Sequence, residues 1–207
     1  MAKRTYSFEL ALSDAEIRDY FDLRRQIFCD EQGLFESHDR DPIDAQSYPI
    51  VAIAHQEGEP DQVVGVVRIY EESPRHWYGG RLGVHPDFRR VGHIGKGLIR
   101  KAVTTANTWG CDQCLATVQL QNVRFFKRLH WLSLEEMDLV GRPHHLMEAE
   151  LDYYPAGDQF RPALPIGRPV PQPAFTHPVL GNQPRPVPVG DPAPKPVFTH
   201  PVLGQVA

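Results

Sequence analysis

Residues 1–154 of the chain contain a series of short apolar runs, which are separated by polar turns and by segments with helical spacing of apolar residues. Runs of this length, bounded by turn-forming residues, are typical of buried strands. The polar, glycine-containing segment 57–61 between two of the runs is typical of a hairpin turn, so those two strands should be antiparallel. The seven predicted strands cover residues 6–12, 50–54, 63–70, 82–85, 115–118, 131–140 and 145–151.

Helical spacing of apolar residues occurs in three places between these strands, and the polar segment 37–46 is either a loop or a short helix, so three or four helices are predicted. Ser13 and Glu16 form a capping-box pattern that begins the first helix, and Gly33 is suited to end it. The apolar positions of the three helices are Ile17, Tyr20, Phe21, Ile27 and Phe28, then Ile94, Leu98, Ala102, Ala106 and Trp109, and finally Phe125, Phe126 and Leu129. Together these elements predict an α/β fold with a mixed, mostly antiparallel central sheet and flanking helices.

Proline content changes sharply at Tyr154. The chain has 20 prolines, and 14 of them lie between Pro155 and Ala207. Proline has no backbone N–H and restricts the residue before it, so this segment should be extended and should not build a core. We therefore predict a folded domain at residues 1–154 and a proline-rich tail at residues 155–207, whose removal should leave the domain folded.

The tail carries one short sequence twice. Residues 173–181 read PAFTHPVLG, and residues 196–204 read PVFTHPVLG. One interpretation is a duplication without a role. The other is a linear motif in two copies, in which Phe175 and Phe198 anchor a protein partner and the second copy adds avidity.

Composition excludes some classes of function. The net charge of −4 gives no reason to expect a nucleic-acid partner, and no apolar run is long enough to span a membrane. The N-terminal residues lack the apolar core of a signal peptide, and three cysteines do not suggest a disulfide framework, so we expect a cytoplasmic protein. Cys111 and Cys114 form a CxxC pair without a second pair, and no metal site is expected.

The most informative stretch of the chain runs from Arg81 to Ala106. A strand is followed there by a loop that contains Gly92, Gly95 and Gly97 and by an amphipathic helix. A helix start offers backbone N–H groups and the positive end of the helix dipole to a phosphate, and glycines let the backbone approach a ligand closely. The basic side chains that would add charge for an anion are Arg89, Arg90 and Lys96. The alternative is an ordinary strand-to-helix turn with a solvated basic face.

The order of these parts resembles the GNAT superfamily of acyl-CoA-dependent N-acyltransferases. The family's R/Q-x-x-G-x-G/A loop matches Arg90-Val91-Gly92-His93-Ile94-Gly95, with His93 in the place of the first glycine. Gln121-Asn122 and the segment 125–131 resemble the family's N…F-Y-x-K-L-G-F helix and turn. A narrower likeness, carried by residues 23–33 and 141–147, is to a GNAT subgroup encoded beside a nitrilase.

The resemblance implies transfer of an acetyl or other acyl group from acyl-CoA, with acetyl-CoA as the donor, to a small-molecule amine. It implies that Val84 and Asn122 hold the pantetheine arm and that the loop from Arg89 to Lys96 holds the pyrophosphate. Phe126 stands where many members have a tyrosine that protonates the leaving thiolate. The residues expected to bind the acyl donor are Val84, Arg89, Arg90, Val91, Gly92, His93, Ile94, Gly95, Lys96, Asn122 and Phe126.

Few residues of the sequence are candidates for the catalytic base. Glu71 and Glu72, at the end of the third strand, would serve if the substrate cleft raised their pKa, and otherwise they are solvated charges. Other candidates are His130 and Cys29 with Glu31, while the pair at residues 144–145 is interpreted as the start of a strand.

Two questions remain open at this stage. Arg24, Arg25 and the acidic stretch 36–44 either border the cleft of the acceptor amine or form a solvated face. Residues 80–84 also lack the glutamate that often acts as the base in the GNAT superfamily. The absence of this glutamate and of the usual tyrosine leaves a second function open, that of an acyl-CoA-binding or scaffold protein with little catalysis that recruits a partner through its tail.

Overall fold

The computed structural model describes residues 4–139 and 141–166. The described residues contain seven strands and three α-helices, in agreement with the seven strands and three or four helices that the hydrophobic pattern predicts. In chain order they are β1 (Thr5–Leu10), α1 (Asp14–Arg25), β2 (Ser47–Gln56), β3 (Glu59–Ser73), β4 (His76–Val84), α2 (Ile94–Thr108), β5 (Gln113–Gln119), α3 (Leu120–Lys127), β6 (Trp131–Leu139) and β7 (Arg142–Ala149). Short 3-10 helices at Pro42–Gln46, Pro86–Val91 and Leu151–Tyr153 and a π-helical turn at Gln26–Glu31 complete the described elements.

The strands form one sheet in the order β1-β2-β3-β4-β5-β7-β6. All neighbouring pairs are antiparallel except β4 and β5, which are parallel. A parallel pair needs a crossover connection, and here α2 supplies it. The predicted mixed, mostly antiparallel sheet is therefore confirmed.

Helices cover both faces of the sheet. Val66 and Val67 are adjacent on β3, so their side chains point to opposite faces, and they belong to two different apolar clusters. The larger cluster lies between the sheet and α2 with α3, and the smaller lies under α1 and the π-helical turn. We call the second side of the sheet the α1 face.

Local signals account for the start and end of the first helical segment. The predicted capping box is present, because the Glu16 amide donates to Ser13 Oγ at 3.2 Å and the Ser13 amide donates to Glu16 Oε2 at 2.9 Å. The segment continues past Arg25 as the π-helical turn, and Gly33 follows it with a φ of 60°. That left-handed conformation is one that glycine adopts without steric cost.

The first part of the predicted tail lies on the domain. Trp109 donates from its indole to the Gln159 carbonyl at 2.9 Å, and the Tyr48 hydroxyl donates to the Pro162 carbonyl at 3.2 Å. Arg161 donates to the Tyr48 hydroxyl at 3.0 Å and places its guanidinium 4.8 Å from the centre of the Trp77 ring. Residues 155–166, which we call the strap, contain no helix or strand, and they contribute packing that the composition does not predict.

The remainder of the tail lies outside the described residues, and so do both copies of the FTHPVLG sequence with Phe175 and Phe198. The proposed domain boundary at Tyr154 and the docking role of the repeats stay predictions. Among the helices that are described, none is long and apolar enough to cross a membrane.

Candidate functional site

Strands β4 and β5 pair along only part of their length. The ladder joins four residue pairs, from His76 with Gln113 to Gly79 with Ala116. Beyond these pairs, residues 80–84 of β4 and 117–119 of β5 diverge, and we call the space between them the wedge. Backbone N–H and C=O groups that lose a ladder partner need another one, so the wedge offers hydrogen bonds to an extended ligand.

A β-bulge in β4 directs the strand away from β5. Between two paired positions, Gly83 with Val66 and Gly80 with Arg68, strand β4 has one residue more than β3. Arg81 is one of the bulged residues and has a φ of 54°, in the left-handed region that non-glycine residues rarely adopt. Such a conformation costs about 1–3 kcal/mol, and the hydrogen bond of 3.0 Å between Arg81 Nε and Asp39 Oδ2 helps to offset it.

The start of α2 lies at the open end of the wedge, because the loop from Val84 leads directly to it. The loop passes through the 3-10 helix Pro86–Val91 and turns at Gly92, whose φ is 78°. In the described residues no side chain caps α2, and its first turn has no acidic residue. The unpaired amides of that turn and the positive end of the dipole therefore suit an anionic group such as a pyrophosphate.

The three glycines of the loop have three different roles. Gly92 makes the turn, as its positive φ shows. A Cβ at Gly97 would lie 2.2 Å from the Phe8 ring, so this glycine makes room for β1 and not for a ligand. A Cβ at Gly95 would meet Phe125 at 3.8 Å and Val84 at 3.9 Å, which is ordinary contact, so this position lies between the helix start and the end of β4.

Arg89, which was expected to contact the phosphates, is held by other groups. Its guanidinium donates to both carboxylate oxygens of Glu31, at 2.6 and 2.7 Å, and its Nε donates to the Val84 carbonyl at 3.0 Å. The hydrogen bond from Arg89 lowers the pKa of Glu31. Arg89 therefore joins the loop to the π-helical turn, and the exposed basic side chains Arg90 and Lys96 are better placed to meet an anion.

The other residues expected to bind the donor divide between the surface and the core. His93 is exposed and places its ring 5.2 Å from that of Tyr6, whereas Ile94 is buried. Val91 and Asn122 are partly buried. Phe126 is buried against Trp131, with 5.2 Å between ring centres, and lines an apolar cavity at the base of the wedge. The neighbouring Phe125, next to Gly95, is the aromatic residue that faces the loop.

Glu71 and Glu72 lie outside the wedge, beside the paired part of β4. Glu71 pairs with Trp77, three residues before the wedge begins at Gly80, so it lies roughly 10 Å from the near end of the wedge at about 3.3 Å per residue. Its carboxylate accepts from the Arg75 amide at 2.8 Å and from Arg161 at 2.7 Å. The Arg75 amide is the main cause of a lowered pKa for Glu71, despite an opposing contribution from burial. These contacts do not favour Glu71 as a base, and the assignment of the catalytic base stays a prediction.

The other candidates for the catalytic base, His130 and Cys29, lie in environments that indicate structural roles. His130 has a φ of 59° and stacks on Tyr153 with 3.8 Å between ring centres, which fits a turn residue. Cys29 is buried, and burial raises the pKa of its thiol. Neither arrangement supplies a proton acceptor that faces the wedge.

Arg24 and part of the acidic stretch 36–44 form a buried ionic cluster beside the bulge. Arg24 donates to Asp39 at 2.7 Å and to Asp44 at 2.6 Å. Burial alone would raise the pKa of Asp44, but the nearby guanidinium groups outweigh it, and the pKa is lowered. The cluster is charge-balanced and fastens residues 39–46 to the sheet; its members are Arg24, Arg68, Arg81, Asp39, Asp41 and Asp44.

A polar patch that the sequence analysis missed lies on the α1 face beside the wedge. Gln119, the last residue of β5, pairs in register with His144 on β7. Within the described residues, Gln119 Nε2 and His144 Nε2 are buried and have no hydrogen-bond partner. The alternation of β7 is the signal that could have found the patch, because it separates His144 from His145 onto opposite faces.

Comparisons with known proteins agree with this geometry. Residues 11–131 match the model of the Acetyltransferase (GNAT) family. No curated protein matches the chain. Solved structures with the same fold include a candidate N-acetyltransferase from Lactobacillus plantarum, with 20% sequence identity and a TM-score of 0.63. The alignment covers 71% of this chain and 99% of that one.

Two further structures are similar to the same extent. Escherichia coli ElaA has 20% identity and a TM-score of 0.57, with coverage of 72% of this chain and 100% of that one. An acyl-CoA N-acyltransferase from Pseudomonas aeruginosa has 17% identity and a TM-score of 0.56, with coverage of 71% and 99%. At these identities the neighbours show the fold, and the match of the family model across more than half of the residues shows the family. The chain belongs to the GNAT acetyltransferase family.

Proposed function

We propose that the protein transfers an acetyl or related acyl group from acyl-CoA to a small-molecule amine. The observation that carries the proposal is the wedge, which opens beside the uncapped start of α2. An extended pantetheine arm can pair with the unpaired backbone of β4 while its pyrophosphate meets the amides of the helix start. Family membership supports acyl transfer in general, and the nature of the acceptor belongs to this proposal.

The donor residues take mostly backbone roles in this proposal. The loop 89–96 surrounds the pyrophosphate through its amides, with Arg90 and Lys96 adding charge. Val84 offers backbone groups at the end of β4, and Asn122, in the first turn of α3, is the residue proposed to contact the arm from that helix. Phe125, which lies beside Gly95, provides apolar surface on the other wall.

The reaction is a direct attack within the wedge. The neutral amine nitrogen bonds to the thioester carbon, and the C–S bond then breaks. The nitrogen gives up one proton, and the leaving thiolate takes up one, so the products are an amide and free CoA. Glu71 and Glu72 are not assigned to either proton transfer, because Arg75 and Arg161 hold the Glu71 carboxylate and Glu72 is exposed.

Release of free thiol tests the proposal. The full chain is mixed with acetyl-CoA and each member of a panel of alkyl and aromatic amines, and free CoA is measured over time. We expect thiol release that depends on one class of amine, together with a product heavier by one acetyl group. Thiol release at the same rate without any amine, or no release with any amine, would contradict acyl transfer.

A scaffold with little catalysis is the second candidate, and one observation favours it. Phe126 is buried and has no hydroxyl, so the family's usual proton donor for the thiolate is missing. The same assay distinguishes the two candidate functions, because a scaffold protein binds acetyl-CoA without releasing free CoA. The proposed cytoplasmic location, the likeness to the nitrilase-adjacent subgroup and a protein partner for Phe175 and Phe198 are compatible with either candidate.

A further inference from the structure

The hydrogen bonding of His144 fixes where its ring carries a proton. Nδ1 lies 2.8 Å from the Arg142 carbonyl oxygen, which can only accept a hydrogen bond. Nδ1 must therefore carry the hydrogen, and Nε2 of the neutral ring is left with a free lone pair. This nitrogen is buried and has no hydrogen-bond partner among the described residues. Leaving such an acceptor unused costs free energy, which a ligand would recover.

The position of His144 places this lone pair next to the wedge. His144 is opposite Gln119 in the ladder between β7 and β5, and residues directly opposite share one face of a sheet. Gln119 belongs to the wall of the wedge, so His144 lies one strand spacing, about 5 Å, behind that wall. The unpartnered Nε2 of Gln119 is a hydrogen-bond donor at the same place. A donor and an acceptor without partners thus occur together on the α1 face.

The surroundings of this pair suit a substrate with an apolar body. Further along the same face, Tyr70 and Tyr78 stack with 5.8 Å between ring centres, and Leu115 packs with them. The Tyr70 hydroxyl is buried and has no partner in the described part of the chain. The residue opposite His144 on β6 is Met137, which does not titrate. The nearest carboxylate on that face of β6 is the exposed Glu135, which pairs with Leu146.

We infer that His144 is the general base of the proposed acyl transfer and that Gln119 orients the reacting groups. The inference rests on the proposed function. His144 Nε2 accepts the proton that an ammonium group must lose before its nitrogen can bond to the thioester carbon. As the C–S bond breaks, the nitrogen loses a second proton and the thiolate takes one up. The imidazolium gives its proton to water, so the ring ends each cycle neutral.

Substitution of His144 by asparagine tests the base and keeps the structural hydrogen bond. The asparagine Nδ2 can still donate to the Arg142 carbonyl, but nothing replaces the lone pair of Nε2. We expect kcat with an alkylamine to fall by about 100-fold or more, the usual contribution of a general base, while the Kd for acetyl-CoA stays within about twofold. His145→Asn is the matched control, because His145 points to the other face and contacts Ser133; its kcat should change by less than about threefold.

A comparison of amines separates a base from a merely structural residue. An alkylamine is mostly protonated at neutral pH, whereas an aromatic amine is already neutral, so the loss in His144→Asn should be much smaller for the aromatic amine. Equal losses for both amines, or full activity of His144→Asn, would overturn the inference and leave the proposed function standing. Failure of the wild type to bind acetyl-CoA and to transfer the acetyl group would remove the proposed function and the inference together.

A measurement on the resting protein does not need the acceptor. In protein labelled with ¹⁵N-histidine, the His144 signals are assigned by their loss in His144→Asn. The tautomer described above predicts a hydrogen-bearing Nδ1 and an Nε2 without hydrogen. A hydrogen on Nε2 would overturn the assignment of this residue as a base.

Discussion

At the scale of residues, buried ion pairs stabilise the fold around the bulge in β4. Arg24 and Arg68 are fully buried, and each directs a guanidinium N–H to Asp44 Oδ1, at 2.6 and 2.7 Å. Removal of one partner from such a cluster leaves the others charged and uncompensated in a medium of low polarity. Asp44 is therefore a residue on which the fold beside the wedge depends.

Asp44→Asn should destabilise the protein at neutral pH by about 3–5 kcal/mol, because it leaves the two arginines without their shared carboxylate. The free energy of unfolding by urea at pH 7 measures the effect. Asp30→Asn is the control, since Asp30 forms an exposed pair with Arg25 and should contribute less than about 1 kcal/mol. Equal stability of wild type and Asp44→Asn at pH 7 would contradict the account of the cluster.

The same pair of proteins has a predicted pH dependence. The pKa of Asp44 is lowered in the folded state. Its contribution to stability is then complete above the ordinary aspartate pKa near 4 and is lost as the pH falls through the lowered value. The difference between wild type and Asp44→Asn should therefore shrink in acid. A difference that stays constant down to acid unfolding would contradict the ion pairing.

At the scale of elements, features that depend on local sequence patterns can be predicted better than features that depend on pairing between distant segments. Seven strands, three helices and the capping box at Ser13 follow from periodicity within short windows, and all are present. The start of β4 was missed by six residues, because the segment 76–81 contains two glycines and an arginine and does not form an apolar run. The loop before α2 and the start of that helix are predicted from the sequence because the glycines and the helix are contiguous.

The rest of the candidate site depends on pairings between distant segments. Glu71 precedes the loop by fewer than 20 residues, but the antiparallel register of β3 and β4 places it opposite Trp77, in the part of β4 that is still paired with β5. Gln119 and His144 are far apart in sequence and meet only through the ladder between β5 and β7. The contacts of the strap with the domain could not be predicted, because they are made singly by Arg161 and by backbone carbonyls and produce no periodic pattern in the sequence.

The strap gives a prediction about truncation. A chain that ends at Ile166 should keep the Tm of the full protein if the described residues contain the folded unit. A chain that ends at Tyr154 loses the hydrogen bonds of the strap to Tyr48, Glu71 and Trp109, at about 1 kcal/mol each, and should melt at a lower temperature. Equal Tm for both truncations would show that the strap adds nothing, as its composition suggested.

At the scale of the whole molecule, the proposed function depends on a sheet whose two central strands stop pairing. Helices on both faces stabilise the sheet, the bulge at Arg81 bends β4 away, and α2 begins where the strands diverge. Our proposal places the donor on the side of α2 and the acceptor beside the unpartnered polar groups on the α1 face. The central claim is that acyl-CoA binds at the start of α2.

Calorimetric titration of acetyl-CoA into Gly95→Asp and Gly95→Asn tests that claim most directly. Both side chains have nearly the same size, a Cβ at this position makes only ordinary contacts, and an aspartate at a helix start does not harm the helix. The added carboxylate would compete for the amides and repel the pyrophosphate. We predict that the wild type binds acetyl-CoA and that Gly95→Asp binds at least tenfold more weakly than Gly95→Asn, a difference of about 1.4 kcal/mol. Equal affinity of all three proteins for acetyl-CoA would contradict the account.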